Sequence, residues 1–322
     1  MMPRRDLLGA LLTAGLAGCA TPPAPAARTA APLWPAPPEQ PRFIFEATLR
    51  NAASLRDPTS AAPLQRLLSG EDNSRASFGK PLAVAAARGR VYVTDTEGRR
   101  VFVFDLPRRR AFSFGLRLEG EVKKPAGIAV DGQGQVYVVD ATARRVVVFD
   151  ALGLYLRQID GTRDWVRPTA VAVSAGGEPG QFNLPTDAAV GADGRLWVLD
   201  AGNFRVQAFD DQGRFLHLFG SPGNGIGQFA RPRGLAVDRE GLVYVSDAVF
   251  CNVQVFQPDG ALLLALGARA DRDAPGRYLL PAKLACDETG RLYVVDQYLH
   301  KVEVLRRLSD AEGQRWMHAP PA

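Results

Sequence analysis

Three cysteines, three histidines and three methionines in 322 residues leave little material for a disulfide framework or an imidazole-held metal centre. The histidines (His217, His300, His318) are scattered, with no ligand spacing among them. Charge of one sign is also scarce. Lys and Arg number 39 against 34 Asp and Glu, and a net charge of +5 is satisfied by a solvated basic face without a nucleic-acid partner. The longest N-terminal apolar run, Leu7 to Ala17, is too short to span a bilayer. The repeat region holds no G-x-S-x-G elbow and no phosphate loop. Glycine (32) and proline (24), by contrast, are abundant, and 46% of the residues are apolar, ample for a large core.

The first residues, MMPRRDLLGALLTAGLAGC, combine a basic start with a short apolar run, which is the pattern of an export signal. Leu16-Ala17-Gly18-Cys19 resembles a bacterial lipobox, in which the thiol is acylated and the chain is cut just before it. Residues 1–18 are therefore expected to be a leader and Cys19 the lipidation site. Arg4-Arg5 also resembles a twin-arginine signal, although two arginines equally suit an ordinary basic start. Ala20, rather than Asp, favours the outer membrane by resemblance to Gram-negative lipoproteins. The Pro/Ala-rich stretch 19–41 reads as a semi-extended tether. The protein is thus expected on the periplasmic side of the envelope.

Self-similarity dominates the remainder. GRVYVTD, GQVYVVD, GRLWVLD, GLVYVSD and GRLYVVD end at Asp95, Asp140, Asp200, Asp247 and Asp296. Each has Gly six residues before the Asp, an aromatic three before, and a Pro fourteen or fifteen before (Pro81, Pro125, Pro185, Pro232, Pro281). Five residues after the Asp stands Arg100, Arg145, Arg205, Asn252 or Lys301, followed by Val. Pro is tolerated where a strand opens, and the β-branched and aromatic runs suit buried pleated sheet. Each copy provides four strands, and a four-stranded unit of this length repeated radially is a propeller blade. The fold class is therefore all-β: a β-propeller with five clear repeats.

The segments PAGIAVDGQGQVYVVDATARRVVVFDALG and GQFARPRGLAVDREGLVYVSDAVFCNVQVFQPDG resemble NHL repeats, and the resemblance covers roughly residues 78–307. It implies a ring that commonly has six blades. Asp-to-Asp spacings here are 45, 60, 47 and 49, and the long interval holds VRPTAVAVS, an inner strand without the rest of a blade. A degenerate sixth blade is thus a possibility left open. The propeller is expected over 42–310, with Phe43–Leu49 completing the last blade and 311–322 forming a tail.

The recurring Asp could ring a cation, or each could cap its own hairpin and meet the basic residue five positions on. Asp140 with Arg145 and Asp200 with Arg205 have that reach, as Asp95 has with Arg100, and the capping reading is preferred because repeats are held by equivalent internal contacts. The channel positions, two residues after each opening Pro, are Ala83, Gly127, Asp187, Gly234 and Lys283. Calcium-dependent lactonase-like propellers converge several oxygen ligands on one ion, and Asp187 with Lys283 does not supply them. Lys123, Lys124, Arg108–Arg110, Arg231 and Arg233 read first as a solvated charged face, with an anionic envelope partner as the alternative. The expectation is a lipid-anchored module that binds protein or glycan, with no cofactor, no nucleic acid and no catalysis. The alternative is a metal-dependent hydrolase or lyase with its site in the channel. Cys251 and Cys286 are either paired or two small buried residues.

Overall fold

The computed structural model describes residues 31–55, 77–161, 168, 170, 182 and 184–317. The leader, Cys19, most of the tether, residues 56–76 and His318 lie outside these residues, as does most of the inner strand expected around 166–174.

The chain enters through two strands, β1 (Leu33–Trp34) and β2 (Phe43–Leu49). Five blades follow. Blade one is β3 (Pro81–Ala87), β4 (Arg90–Asp95), β5 (Arg100–Asp105) and β6 (Arg110–Phe114). Blade two is β7 (Pro125–Val130), β8 (Val136–Asp140), β9 (Arg145–Phe149) and β10 (Tyr155–Asp160). Blade three is β11 (Pro185–Val190), β12 (Leu196–Asp200), β13 (Arg205–Phe209) and β14 (Phe215–Phe219). Blade four is β15 (Pro232–Val237), β16 (Val243–Asp247), β17 (Asn252–Phe256) and β18 (Leu262–Leu266). A short parallel pair, β19 (Ala268–Arg269) with β20 (Arg277–Tyr278), leads to blade five, β21 (Pro281–Cys286), β22 (Arg291–Asp296) and β23 (Lys301–Arg307).

Every blade is an antiparallel meander, and β2 is the fourth strand of the last one, pairing with β23 from Phe43 opposite Arg307 to Leu49 opposite Val302. The first and last strands of the propeller therefore share a sheet, so no blade edge is left open there. The five innermost strands line one central channel, and Ala170 stands on its wall with them. Between blades, apolar side chains from facing sheets fill separate cores. One example is the cluster of Tyr92, Val101 and Phe114 from blade one with Val136, Val138 and Phe149 from blade two.

Two expectations are corrected. The tether does not stay unpacked to residue 41. Trp34 seats against the last inter-blade core, directly over Gly276, where an added Cβ would come within 2.3 Å of the indole ring. Arg42 N–H donates to Trp34 O and Phe45 N–H to Pro32 O, so β1 becomes a fifth strand of the last sheet. One large aromatic among prolines buries enough apolar area to order its neighbours. Nor is the C-terminus a plain tail, because Asp310–Met317 is a helix. Ser309 Oγ accepts from Glu312 N–H at 3.3 Å while the Glu312 carboxylate accepts from Ser309 N–H at 2.9 Å, a reciprocal capping box. Gly313 lets this helix approach the Pro41 carbonyl, to which an added Cβ would come within 2.4 Å.

Candidate functional site

The five repeated aspartates are fully buried at the ends of the second strands. Asp247 accepts from the N–H of Ala230 and Arg231, which precede the innermost strand, and from Val249 and Phe250 in the next turn. Asp140 does the same with Lys123, Lys124, Thr142 and Ala143, and Asp296 with Leu279, Leu280, Tyr298 and Leu299. Asp95 accepts from Gly79, Lys80 and Gly98. Asp200 accepts from the N–H of Leu184 and otherwise from the side chains of Asn203, Arg205 and Gln207. Each carboxylate thus ties the entry of a blade to its central hairpin, four of them through backbone donors and Asp200 largely through side chains.

The basic residue five positions on is less uniform. Arg205 Nε stands 3.1 Å from Asp200 and Arg100 Nε 3.5 Å from Asp95. Arg145 turns the other way and donates to the Glu121 carbonyl at 2.7 Å and to Gln158. Asp140, with four backbone donors, has no need of it. The residue before this basic position is left-handed in every blade: Arg99, Arg144, Phe204, Cys251 and His300 all have φ between 50° and 56°. His300 therefore occupies a turn position that each repeat fills. His217 lies on β14 with its ring 5.6 Å from that of Trp197.

A second family of aspartates escaped the sequence reading. Asp131, Asp238 and Asp287 each accept the hydroxyl of the repeated tyrosine six residues on (Tyr137, Tyr244, Tyr293), at 2.8 to 3.1 Å. The signal was present as Asp three residues before the repeated Gly. Burial pushes all three tyrosine hydroxyls above their ordinary range, and the adjacent carboxylates add to this.

The channel is a cavity of about 200 Å³ walled by small side chains. Each innermost strand carries a register shift just after its opening Pro, and bulges of this kind re-aim side chains. Among the lining residues the charged groups are Asp187 and Lys283, and they meet: Lys283 Nζ lies 2.7 Å from Asp187 Oδ1. Asp187 Oδ2 accepts from Leu235 N–H at 2.8 Å, and Lys283 also donates to Thr186 O. Gly234 sits between them because the chains are so close; a Cβ there would fall 2.2 Å from the Ala282 carbonyl. Burial outweighs the pairing and holds the Asp187 carboxyl above its ordinary range, and burial likewise holds the Lys283 ammonium below its own. Cys286 lies on the channel wall, and both it and Cys251 are free thiols. Among the described residues, no group of three or more His, Cys, Asp or Glu is placed to hold a metal ion.

Where the strands begin, the channel opens into a basin of about 450 Å³. Its lining includes the apolar Leu82, Ala126 and Phe204 and the cationic Arg231, Arg233 and Lys283.

The NHL repeat family model matches residues 182–209 and 229–257, placing NHL repeats on blades three and four of this β-propeller. No curated relative matches the chain by sequence. Among solved structures, virginiamycin B lyase from Staphylococcus aureus is similar with a TM-score of 0.50 at 10% identity, over 71% of this chain and 80% of that one. A luciferin-regenerating enzyme is similar with a TM-score of 0.51 at 12% identity, over 72% and 92%. These likenesses are of fold.

Proposed function

We propose that the protein is a binding module of the cell envelope, not an enzyme, and that its propeller presents the face around the channel mouth to its ligand. The observation that carries this reading is the state of Asp187. It is the one carboxylate on the channel wall among the described residues, and an ammonium and a backbone amide already occupy it. A divalent ion needs several free oxygen ligands converging on one point, and the repeated aspartates are engaged by backbone donors or, at Asp200, by Leu184 N–H and the side chains of Asn203, Arg205 and Gln207. A separate exposed apolar surface, away from the channel mouth, supports a protein partner as well: Leu116, Leu118 and Leu154 border a groove of about 620 Å³ at the outer edges of blades one and two.

The Leu16–Cys19 sequence supports attachment through a lipid on Cys19 at the periplasmic side, with the outer membrane favoured by Ala20. Palmitate labelling in cells, lost in Cys19→Ala, is the corresponding check.

The function itself is tested by metal content and by thermal unfolding with and without chelator. The expected result is a protein that carries no stoichiometric divalent ion and melts at the same temperature in both conditions. A stoichiometric ion whose removal lowers the melting temperature would overturn the reading in favour of a metal-dependent hydrolase or lyase.

A further inference from the structure

We infer that the basin at the channel mouth binds a small organic carboxylate with an apolar body, and that Arg233 is the group that receives its charge. The inference rests on the binding-module reading and deepens it by naming the ligand chemistry.

The basin holds three cations and, among its lining residues, no Asp or Glu. Lys283 is committed to Asp187 beneath it. Arg231 is exposed, and its backbone N–H is held by Asp247. Arg233 is half-buried, and its one side-chain hydrogen bond among the described residues, from Nη2 to Gln297 Oε1, is long at 3.5 Å. Asp296, whose field it feels, already accepts from four backbone N–H groups. No salt bridge is formed by Arg231 or Arg233 among the described residues. A half-buried guanidinium without an anion is less well solvated than one in open water, and a ligand that supplies a carboxylate compensates it. Burial, and then the neighbouring Arg231, disfavour the charged form of Arg233, and the charge of an incoming anion would offset them.

Two further features define the ligand. Thr186 lines the basin, and its Oγ1 is buried with no hydrogen-bond partner, a donor and acceptor left over that a small side-chain rotation would offer to a bound oxygen. The lining also includes Leu82, Ala126 and Phe204, apolar surface that an inorganic anion would leave uncovered. A guanidinium takes a planar carboxylate through two parallel N–H donors. A cavity of about 450 Å³ accommodates a carboxylate on a hydrocarbon or aromatic body of modest size.

The test is isothermal titration calorimetry of the intact protein with 4-phenylbutyrate, octanoate and N-acetylleucine. Inorganic phosphate and the amide of phenylbutyrate are the comparison arms. At least one carboxylate is expected to bind, with the amide at least tenfold weaker and phosphate weaker still. Arg233→Gln should lower that affinity at least tenfold while the melting temperature stays unchanged, and Thr186→Val should lower it by a smaller factor. Failure of all three carboxylates, equal binding of the amide or of phosphate, or full affinity in Arg233→Gln would each overturn the inference. These results are separable from the broader reading. A metal-free protein that binds none of the probes loses only the carboxylate site. A chelator-sensitive protein that converts a bound probe loses the binding-module reading and keeps the site.

Discussion

Lys283 Nζ and Asp187 Oδ1 stand 2.7 Å apart across the channel, on the innermost strands of blades five and three. Blade four lies between them in the chain, and its Leu235 amide completes the carboxylate's shell. One ion pair therefore ties three blades together. Breaking it from one side strands a buried charge: Lys283→Met should cost about 3–5 kcal/mol in urea unfolding, whereas the double change with Asp187→Leu should recover much of that loss. Equal losses in the single and double variants would remove the pair from the list of ring ties.

Asp247 offers a cleaner measure of blade maintenance. Its replacement by Ala leaves four backbone N–H groups without their acceptor, at roughly 1–3 kcal/mol for each that water does not reach. Asp247→Ala should lower the melting temperature by about 8 °C or more, and Asp247→Asn, which keeps one acceptor oxygen, by clearly less. A variant that melts like the parent would return the carboxylate to the list of ligand candidates.

The repeated tyrosines predict the alkaline limit of stability. Their hydroxyls titrate near pH 10 in an unfolded chain and higher when buried beside Asp238 and Asp287. Between these values the folded state holds more protons, so the stabilisation is complete below about pH 10 and is lost as the pH rises further. Tyrosinate absorbance should therefore appear together with unfolding. Tyr244→Phe should flatten the alkaline loss at a cost of about 1 kcal/mol at neutral pH. Early, non-cooperative ionisation of Tyr244 would contradict this.

The C-terminal helix has an acid counterpart. Hydrogen bonds from the Ser309 amide and hydroxyl, with Arg306, draw the Glu312 carboxyl down to about 2. Its contribution is present above the ordinary carboxylate range and is lost as pH falls through that value. Ser309→Ala should fray the helix and speed proteolysis after residue 309, with the propeller's melting temperature nearly unchanged. Unaltered cleavage would show that packing on Pro41 alone holds the helix.

The blades were legible because their chemistry is local. Gly, aromatic and Asp recur at fixed offsets, and the bonds of Asp247 reach only to the turn beside it and the entry of its own blade. The Ser309–Glu312 spacing was equally present and simply went unread. Other features were invisible for a physical reason. That Asp187 meets Lys283 depends on the curvature of a closed ring and on a glycine at position 234, not on any spacing between the two. Trp34 sits in a stretch whose composition argues against folding, and only the bare backbone of Gly276, far along the chain, gives it a seat. Arg145 was misjudged because Asp140 was already supplied by four amides.

The pairing of β2 with β23 also sets an order on assembly. β2 is synthesised before any blade, and its partner follows almost everything else. Until then its hydrogen-bonding edge and the apolar side chains of Phe43 and Leu49 have no native place. A stacked linear repeat can lose a unit from one end and keep the remainder. Here the loss of either end opens the same sheet. Truncations from the two termini should therefore fail alike, and the nascent chain needs shielding until its last strand is made.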